Sequence, residues 1–185
     1  MSLPARLFAA ALALGLGACV SPPQGLTPVA RAEAPRFDPF TFFLGPSDGT
    51  GTLAKAFSQD TPIRVESRGR IVLETSREAA WATPPQRVLV LDQVVYEGDK
   101  LPRTRQWRLV EIAPGRYEGT LTDAIGPVIG RSEGNLLVLE YAIKGSFRVR
   151  QELTLSPDGR RAANILTVSK LGARVAVLIE EIVRG

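Results

Sequence analysis

The stretch Phe147-Arg148-Val149-Arg150-Gln151-Glu152-Leu153-Thr154-Leu155 runs into Ser156-Pro157-Asp158-Gly159. Phe147, Val149, Leu153 and Leu155 share one parity, while Arg148, Arg150, Glu152 and Thr154 take the other. Successive side chains of an extended chain point to opposite faces, so this is a strand with one apolar face and one wet face. The Pro-Asp-Gly sequence then turns the chain. Proline presets one turn dihedral, and glycine accepts the left-handed one.

The same pattern extends in both directions. Leu136 to Ile143 places Leu137, Leu139, Tyr141 and Ile143 on one face, and Ala162 to Ser169 and Arg174 to Val183 close the chain. Val175, Leu178, Ile179 and Ile182 also fit helical spacing, but the density of Val and Ile and the short length favour a strand. Tyr117 to Asp123 and Val128 to Ser132 read as short strands punctuated by Gly126-Pro127 and Gly134-Asn135. Arg103 to Ile112 ends at the turn Ala113-Pro114-Gly115, and Val88 to Tyr96 is apolar on both faces apart from Asp92 and Gln93. Ile63, Val65, Ile71 and Leu73 oppose Arg64, Glu66, Arg68, Arg70 and Glu74, with Gly69 on the apolar side. That is a strand pair or one long strand bent at the glycine. Ala79 to Pro85 breaks the pattern and reads as a loop. Short strands, tight turns and no convincing helix predict an all-β, antiparallel up-and-down barrel of about eight to ten strands.

The N-terminus has a different logic. Cys19 is the only cysteine, behind the apolar run Leu7 to Leu16 and the small pair Gly17-Ala18. This resembles a bacterial lipobox, in which the thiol receives a diacylglycerol and the leader is cut before the cysteine. Small residues let the backbone enter a narrow protease site, and the thiol is nucleophilic enough to take the lipid. The competing reading is a lone buried cysteine beside an ordinary signal peptide. The apolar run is shorter than the ~20 residues that span a bilayer. The expected organisation is a leader over residues 1–18, a lipidated cysteine and linker over 19–36, and the barrel over 37–185. Pro22, Pro23, Pro28 and Pro35 deny the linker helix and ladder hydrogen bonds, which reads as an extended spacer. Val20 would be the second residue of the mature chain. Aspartate there commonly retains lipoproteins at the inner membrane, so valine predicts the outer membrane, facing the periplasm, in a two-membraned bacterium.

Composition excludes more than it suggests. The chain of 185 residues carries a formal charge of +4, and removing Arg6 with the leader leaves 4 − 1 = +3. No basic run is interleaved with aromatics, so no nucleic-acid partner is expected. There is no histidine, and the cysteine is committed to lipid. Histidine triads, cysteine nucleophiles and the usual zinc and iron sites are therefore not expected, nor is a cofactor. No catalytic residue is assigned.

Phe37, Phe40, Phe42 and Phe43 cluster within a few residues. They read either as a plug across one end of a core or as an apolar mouth touching lipid or ligand.

Arg105-Gln106-Trp107, Tyr117-Glu118-Gly119-Thr120, Asp123-Ala124-Ile125-Gly126, Gly130, Gly134-Asn135, Asn164 and Ser169-Lys170-Leu171-Gly172 together resemble the bacterial lipoproteins grouped as domain of unknown function 3833. Phe37-Asp38-Pro39 and Phe43-Leu44-Gly45 fit as well, and the resemblance covers about residues 37 to 184. It implies a lipid-anchored, lipocalin-like barrel and no activity. Arg105, Asp123, Asn164 and Lys170, with Asp92 between apolar neighbours, could hold the head group of an amphiphile, and Trp107 and Tyr117 could line its site. Alternatively these charges pair among themselves and fix the strands, since burying them alone costs several kcal/mol. The expected function is to hold or pass an apolar ligand such as a fatty acid or phospholipid. The alternative is a solid barrel that scaffolds a protein partner through an exposed Phe40–Leu44 patch.

Overall fold

The alternating runs close into a ring. A computed structural model describes residues 20–75 and 85–185, so Cys19 and most of the loop around Ala79 to Pro85 lie outside the described residues. Among those residues, ten strands form one closed antiparallel barrel: β1 (Gly45–Lys55), β2 (Thr61–Glu74), β3 (Gln86–Glu97), β4 (Arg103–Ala113), β5 (Arg116–Leu121), β6 (Ala124–Glu133), β7 (Leu136–Ile143), β8 (Phe147–Leu155), β9 (Arg161–Lys170) and β10 (Ala173–Arg184). Each strand pairs with its neighbours in sequence, and β1 pairs with β10 to complete the ring. Closure removes the two unpaired edges an open sheet would expose. The up-and-down reading holds, as does the choice of strand for the last segment.

Two details refine that reading. Residues 61–74 form one continuous strand rather than a pair, and the carbonyl oxygen of Phe43 sits 1.7 Å from where a Cβ on Gly69 would lie. Gly69 is needed because another backbone crosses it. β1 carries no alternating apolar run: its inward positions are Ser47, Gly49, Gly51 and Leu53, paired with Ser67, Val65, Ile63 and Thr61 of β2. The glycines let the closing strand approach β10, where a Cβ at Gly49 would fall 2.0 Å from a carboxylate oxygen of Glu180.

The two ends of the barrel differ. At the end where β2 finishes and β1 begins, the short helix α1 (Pro39–Phe42) lies across the opening. Pro39 occupies its first turn, where the missing N–H costs nothing, and Asp38 caps it by accepting from the Phe40 N–H at 3.0 Å. Phe37, Phe40, Phe42 and Phe43 are all buried, with Phe42 and Phe43 edge-to-face at 4.9 Å. The plug reading is correct. These rings continue into a core of Leu89, Leu109, Tyr117, Val128, Leu137 and Leu153.

The segment before the plug lies on the barrel. Asn135, 2% exposed, accepts from the Ala32 N–H at 2.8 Å and donates to the carbonyls of Ala30 at 3.0 Å and Leu155 at 2.9 Å. Its own N–H donates to the Ala32 carbonyl, and Phe37 donates to Gly134. Gly134-Asn135 is thus both a turn and a clamp. Residues 24–27 border Thr50–Thr52 and Ile179–Glu181, and Val20 exchanges contacts with Arg174 beside the β9–β10 turn. Proline denies this segment a ladder of its own, but its carbonyls and remaining N–H groups still find partners on the outer wall.

Candidate functional site

The half of the barrel away from the plug is not filled. A cavity of about 540 Å³ opens at the end bearing the β1–β2, β3–β4, β5–β6, β7–β8 and β9–β10 turns. Its walls are apolar, built from inward positions such as Leu53, Ile63, Val65, Val95, Leu166 and Leu178. At its rim Lys55 and Lys100 pair with Glu97, and Arg103 pairs with Asp123 at 3.5 Å.

Below it lies a belt of polar side chains: Arg105 borders the cavity, while Ser67, Gln93, Gln151 and Glu180 surround a separate space of about 30 Å³. Cross-strand pairing builds its two sides: Ser67 opposes Gln93 and Gln93 opposes Arg105 on one, and Glu180 opposes Asn164 on the other. Gln93 organises one side. Its side-chain oxygen accepts from Arg105 Nε at 2.8 Å and from Trp107 Nε1 at 2.7 Å, while its amide donates to Ser67 Oγ at 2.9 Å. Across the barrel Asn164 Nδ2 donates to Glu180 Oε2 at 2.7 Å.

Arg105 is the chemical centre. Its side chain is half-buried and borders the cavity, and loss of hydration pushes its pKa down, opposed by the fields of Tyr141 and Glu180. Among the described residues only Nε is hydrogen-bonded to a side chain, the guanidinium carbon lies 5.8 Å from the Trp107 ring centroid, and no carboxylate forms an ion pair with it. Five guanidinium N–H groups are available in total, so both terminal amino groups remain to donate. Burial holds the Glu180 carboxyl above its ordinary value of 4.5, against the hydrogen bond from Asn164 and the charge of Arg105. Glu180 therefore favours its neutral form more than a surface glutamate does, leaving the Arg105 charge poorly compensated. Three buried side-chain atoms beside this belt, Ser47 Oγ, Gln151 Oε1 and Asn164 Oδ1, have no hydrogen-bond partner among the described residues. Native interiors leave few such atoms unpaired.

The site residues expected from sequence are divided by the structure. Arg105 and Asn164 lie in the belt, and Trp107 lies just beneath it, edge-to-face with Tyr141 at 5.5 Å. Asp123 stands at the rim. Lys170 is exposed at the end of β9, its ammonium 4.8 Å from the Phe147 ring centroid. Tyr117 is placed elsewhere: it stacks with Phe40 under the plug, and burial pushes its phenol up to about 12. Asp92 faces outward, held below the usual carboxylate range by hydrogen bonds from Gln106 and Arg70. Its neighbour Leu91 faces the core, while Asp92 takes the opposite parity with Val90, which is itself fully buried. Glu180, Gln93 and Gln151 belong to the belt but were not singled out from sequence. The signal for Glu180 was its parity with Leu178 and Ile182.

A larger depression of about 700 Å³ crosses the outer wall of β6–β9. It lies among the ion pairs of Arg150 with Glu140 and Glu152, away from Arg105, and is open to solvent.

A search of curated protein sequences finds no match to this chain. Among solved structures, the chain is similar to an S-type phycobiliprotein lyase, CPES, from Guillardia theta. The TM-score is 0.56 at 9% identity, over 79% of this chain and 90% of that one. At that identity the likeness concerns the barrel fold alone. The sequence match extends further toward the N-terminus than the expected 37 to 184, beginning inside the apolar run before Cys19. Residues 14–179 match the family described as Protein of unknown function (DUF3833), and the chain belongs to that family.

Proposed function

We propose that this protein binds one anionic amphiphile of the fatty-acid class, with its carboxylate on Arg105 and its chain rising through the apolar cavity. The observation that carries the reading is a half-buried guanidinium, its two amino groups free of hydrogen bonds to described side chains, at the base of an apolar space. A cavity of about 540 Å³ falls within the ~300–1,000 Å³ typical of small-molecule sites. A carboxylate matches the guanidinium fork in two parallel hydrogen bonds, and low local dielectric strengthens both. Gln151 Oε1 and Asn164 Oδ1 accept rather than donate, so they suit a protonated ligand group or a water held beside it. The activity is binding, with no residue assigned to catalysis.

The proposal includes tethering to an envelope membrane by a lipid on Cys19, with Val20 directing the protein to the periplasmic face of the outer membrane. Each buried methylene contributes about 0.8 kcal/mol, so two or three acyl chains hold where a single myristoyl chain binds only marginally. Cys19→Ser would then abolish labelling by radioactive palmitate and release the chain from the outer-membrane fraction. A scaffold with a solid barrel fits less well, because Phe40, Phe42 and Phe43 are buried rather than displayed.

The test is lipid extraction and mass spectrometry of the purified protein, followed by titration with a fluorescent fatty acid. Arg105→Met should weaken binding by about thirtyfold or more, the range expected when one partner of a buried charged hydrogen bond is removed. Unchanged affinity in that variant would sink the proposal.

A further inference from the structure

The open end carries a second feature that ligand binding does not use. Phe57, Leu101 and Leu171 are 97%, 91% and 96% exposed, at the β1–β2, β3–β4 and β9–β10 turns. At the plug end the exposed large apolar side chains among the described residues are Leu44, Leu73, Ile112 and Val183, at 42–69%, and none of them is at the tip of a described turn. The described plug-end turns are Ala113-Pro114-Gly115, Glu133-Gly134-Asn135 and Ser156-Pro157-Asp158-Gly159.

Turn chemistry does not account for the apolar tips. Phe57 has φ 60° and Leu171 φ 51°, in the left-handed region where glycine or asparagine is favoured and a bulky residue is strained. Neither side chain is repaid by packing. The turn and strand-end residues around them include the bases Lys55, Lys100, Arg103, Lys144, Lys170 and Arg174 against the acids Asp60, Glu97, Asp99 and Asp123. Six bases against four acids give this end a modest positive excess, although Lys55, Lys100 and Arg103 are paired with Glu97 and Asp123. The described chain also enters at this end, because Val20 is held against Arg174. Cys19 is the next residue in the sequence.

We infer that the open end of the barrel is a membrane-docking face, with Phe57, Leu101 and Leu171 inserted into an anionic phospholipid surface and the cavity mouth held against it. Apolar tips among cations are the chemistry of an interfacial anchor, which buries apolar groups roughly 5–10 Å deep while the cations meet head groups. The laid-down linker then brings the mouth to the membrane rather than holding the barrel off it. An amphiphile could pass between the bilayer and Arg105 without crossing water. The inference goes beyond the ligand reading and does not depend on it.

The full chain, extracted from membranes in detergent and reconstituted in vesicles of phosphatidylethanolamine and phosphatidylglycerol, provides the test. Phe57→Cys, Leu101→Cys, Leu171→Cys and Asp158→Cys are each labelled with an environment-sensitive fluorophore. The wild-type chain carried through the same labelling reports any free thiol at Cys19. These sites are at turns, so circular dichroism should remain that of the wild type. Labels at the three tips should shift to the blue and be quenched by lipids spin-labelled just below the head group, whereas the label at 158 should not. Equal quenching at 158, or none at the tips, would overturn the inference. So would tips shielded from aqueous iodide yet untouched by spin-labelled lipid, because they would then be buried in a protein partner or a second copy.

Discussion

The plug end and the open end are built from the same ten strands, yet one is packed solid and the other is hollow. At the plug end, Phe37, Phe40, Phe42 and Phe43 add a layer of rings that no strand supplies, and Ala162, fully buried, leaves room for them. At the open end the inward positions are Leu53, Ile63, Val65, Val95 and Leu178, with no helix laid across them among the described residues. Closure of the sheet therefore does not dictate a filled interior. What lies across each end does. The polar belt of Gln93, Arg105, Asn164 and Glu180 sits at the boundary, where the plug no longer excludes a guest and the mouth no longer lets water solvate a charge freely.

If that division is right, the same kind of substitution should have opposite consequences at the two ends. The largest effect is expected at Phe37, which is 0% exposed: Phe37→Ala should cost about 3–5 kcal/mol in chemical denaturation. Ligand affinity of the folded fraction should stay within about twofold, since the removed ring is remote from the cavity. A comparable loss of affinity would mean the plug shapes the site. Next, Arg105→Met should leave denaturation stability unchanged or raised by about 1 kcal/mol while binding falls, because an uncompensated, half-buried charge is replaced by an apolar chain. Marked destabilisation would show instead that Arg105 is a structural strut.

A matched pair of enlargements probes the void directly. Ala162→Leu, in the filled half, should cost about 1–3 kcal/mol through overpacking. Val168→Phe, on the cavity wall, should change stability by less than about 1 kcal/mol while lowering ligand affinity, because the added ring enters empty space. Similar costs at both sites would erase the distinction between the ends. The smallest effect concerns pH. The Glu180 carboxyl is raised by burial, so the folded protein holds that proton after the unfolded chain, near 4.5, has lost it. Stability should therefore fall as pH rises from the ordinary glutamate value to the raised folded one, and level off above it. Glu180→Gln keeps an acceptor for Asn164 and should remove this part of the slope in urea titrations at stepped pH. The same variant should make fatty-acid binding less sensitive to alkaline pH, since no carboxylate then competes for Arg105.

Strand periodicity was legible wherever one face was apolar and the other wet. Phe147 to Leu155 reads as β8 residue by residue because its alternation reports the barrel wall directly. The Phe37–Phe43 cluster was legible as a plug because four large rings in so short a segment have to be buried somewhere. β1 was not legible. Ser47, Gly49 and Gly51 carry no hydrophobic signal, and their role is to leave space for Glu180 and the neighbouring backbone. Asp92 and Tyr117 could not be placed from sequence either, since parity within one strand does not say which face looks inward until its partners are known.

By itself, the sequence determined an all-β chain, the turns between its strands, and a stock of polar side chains too expensive to bury without partners. Tertiary structure alone decided that Arg105, Gln93, Asn164 and Glu180 meet in one belt, because β3, β4, β9 and β10 come together only through ring closure and register. It also decided that residues 20–36 return along the outer wall from the open end to the plug. Prolines prevent that segment from forming its own ladder, but only the placement of Asn135, Arg174 and Glu152 fixes where it lies. Local pattern records the environment of one residue, whereas a site is made by residues far apart in the chain.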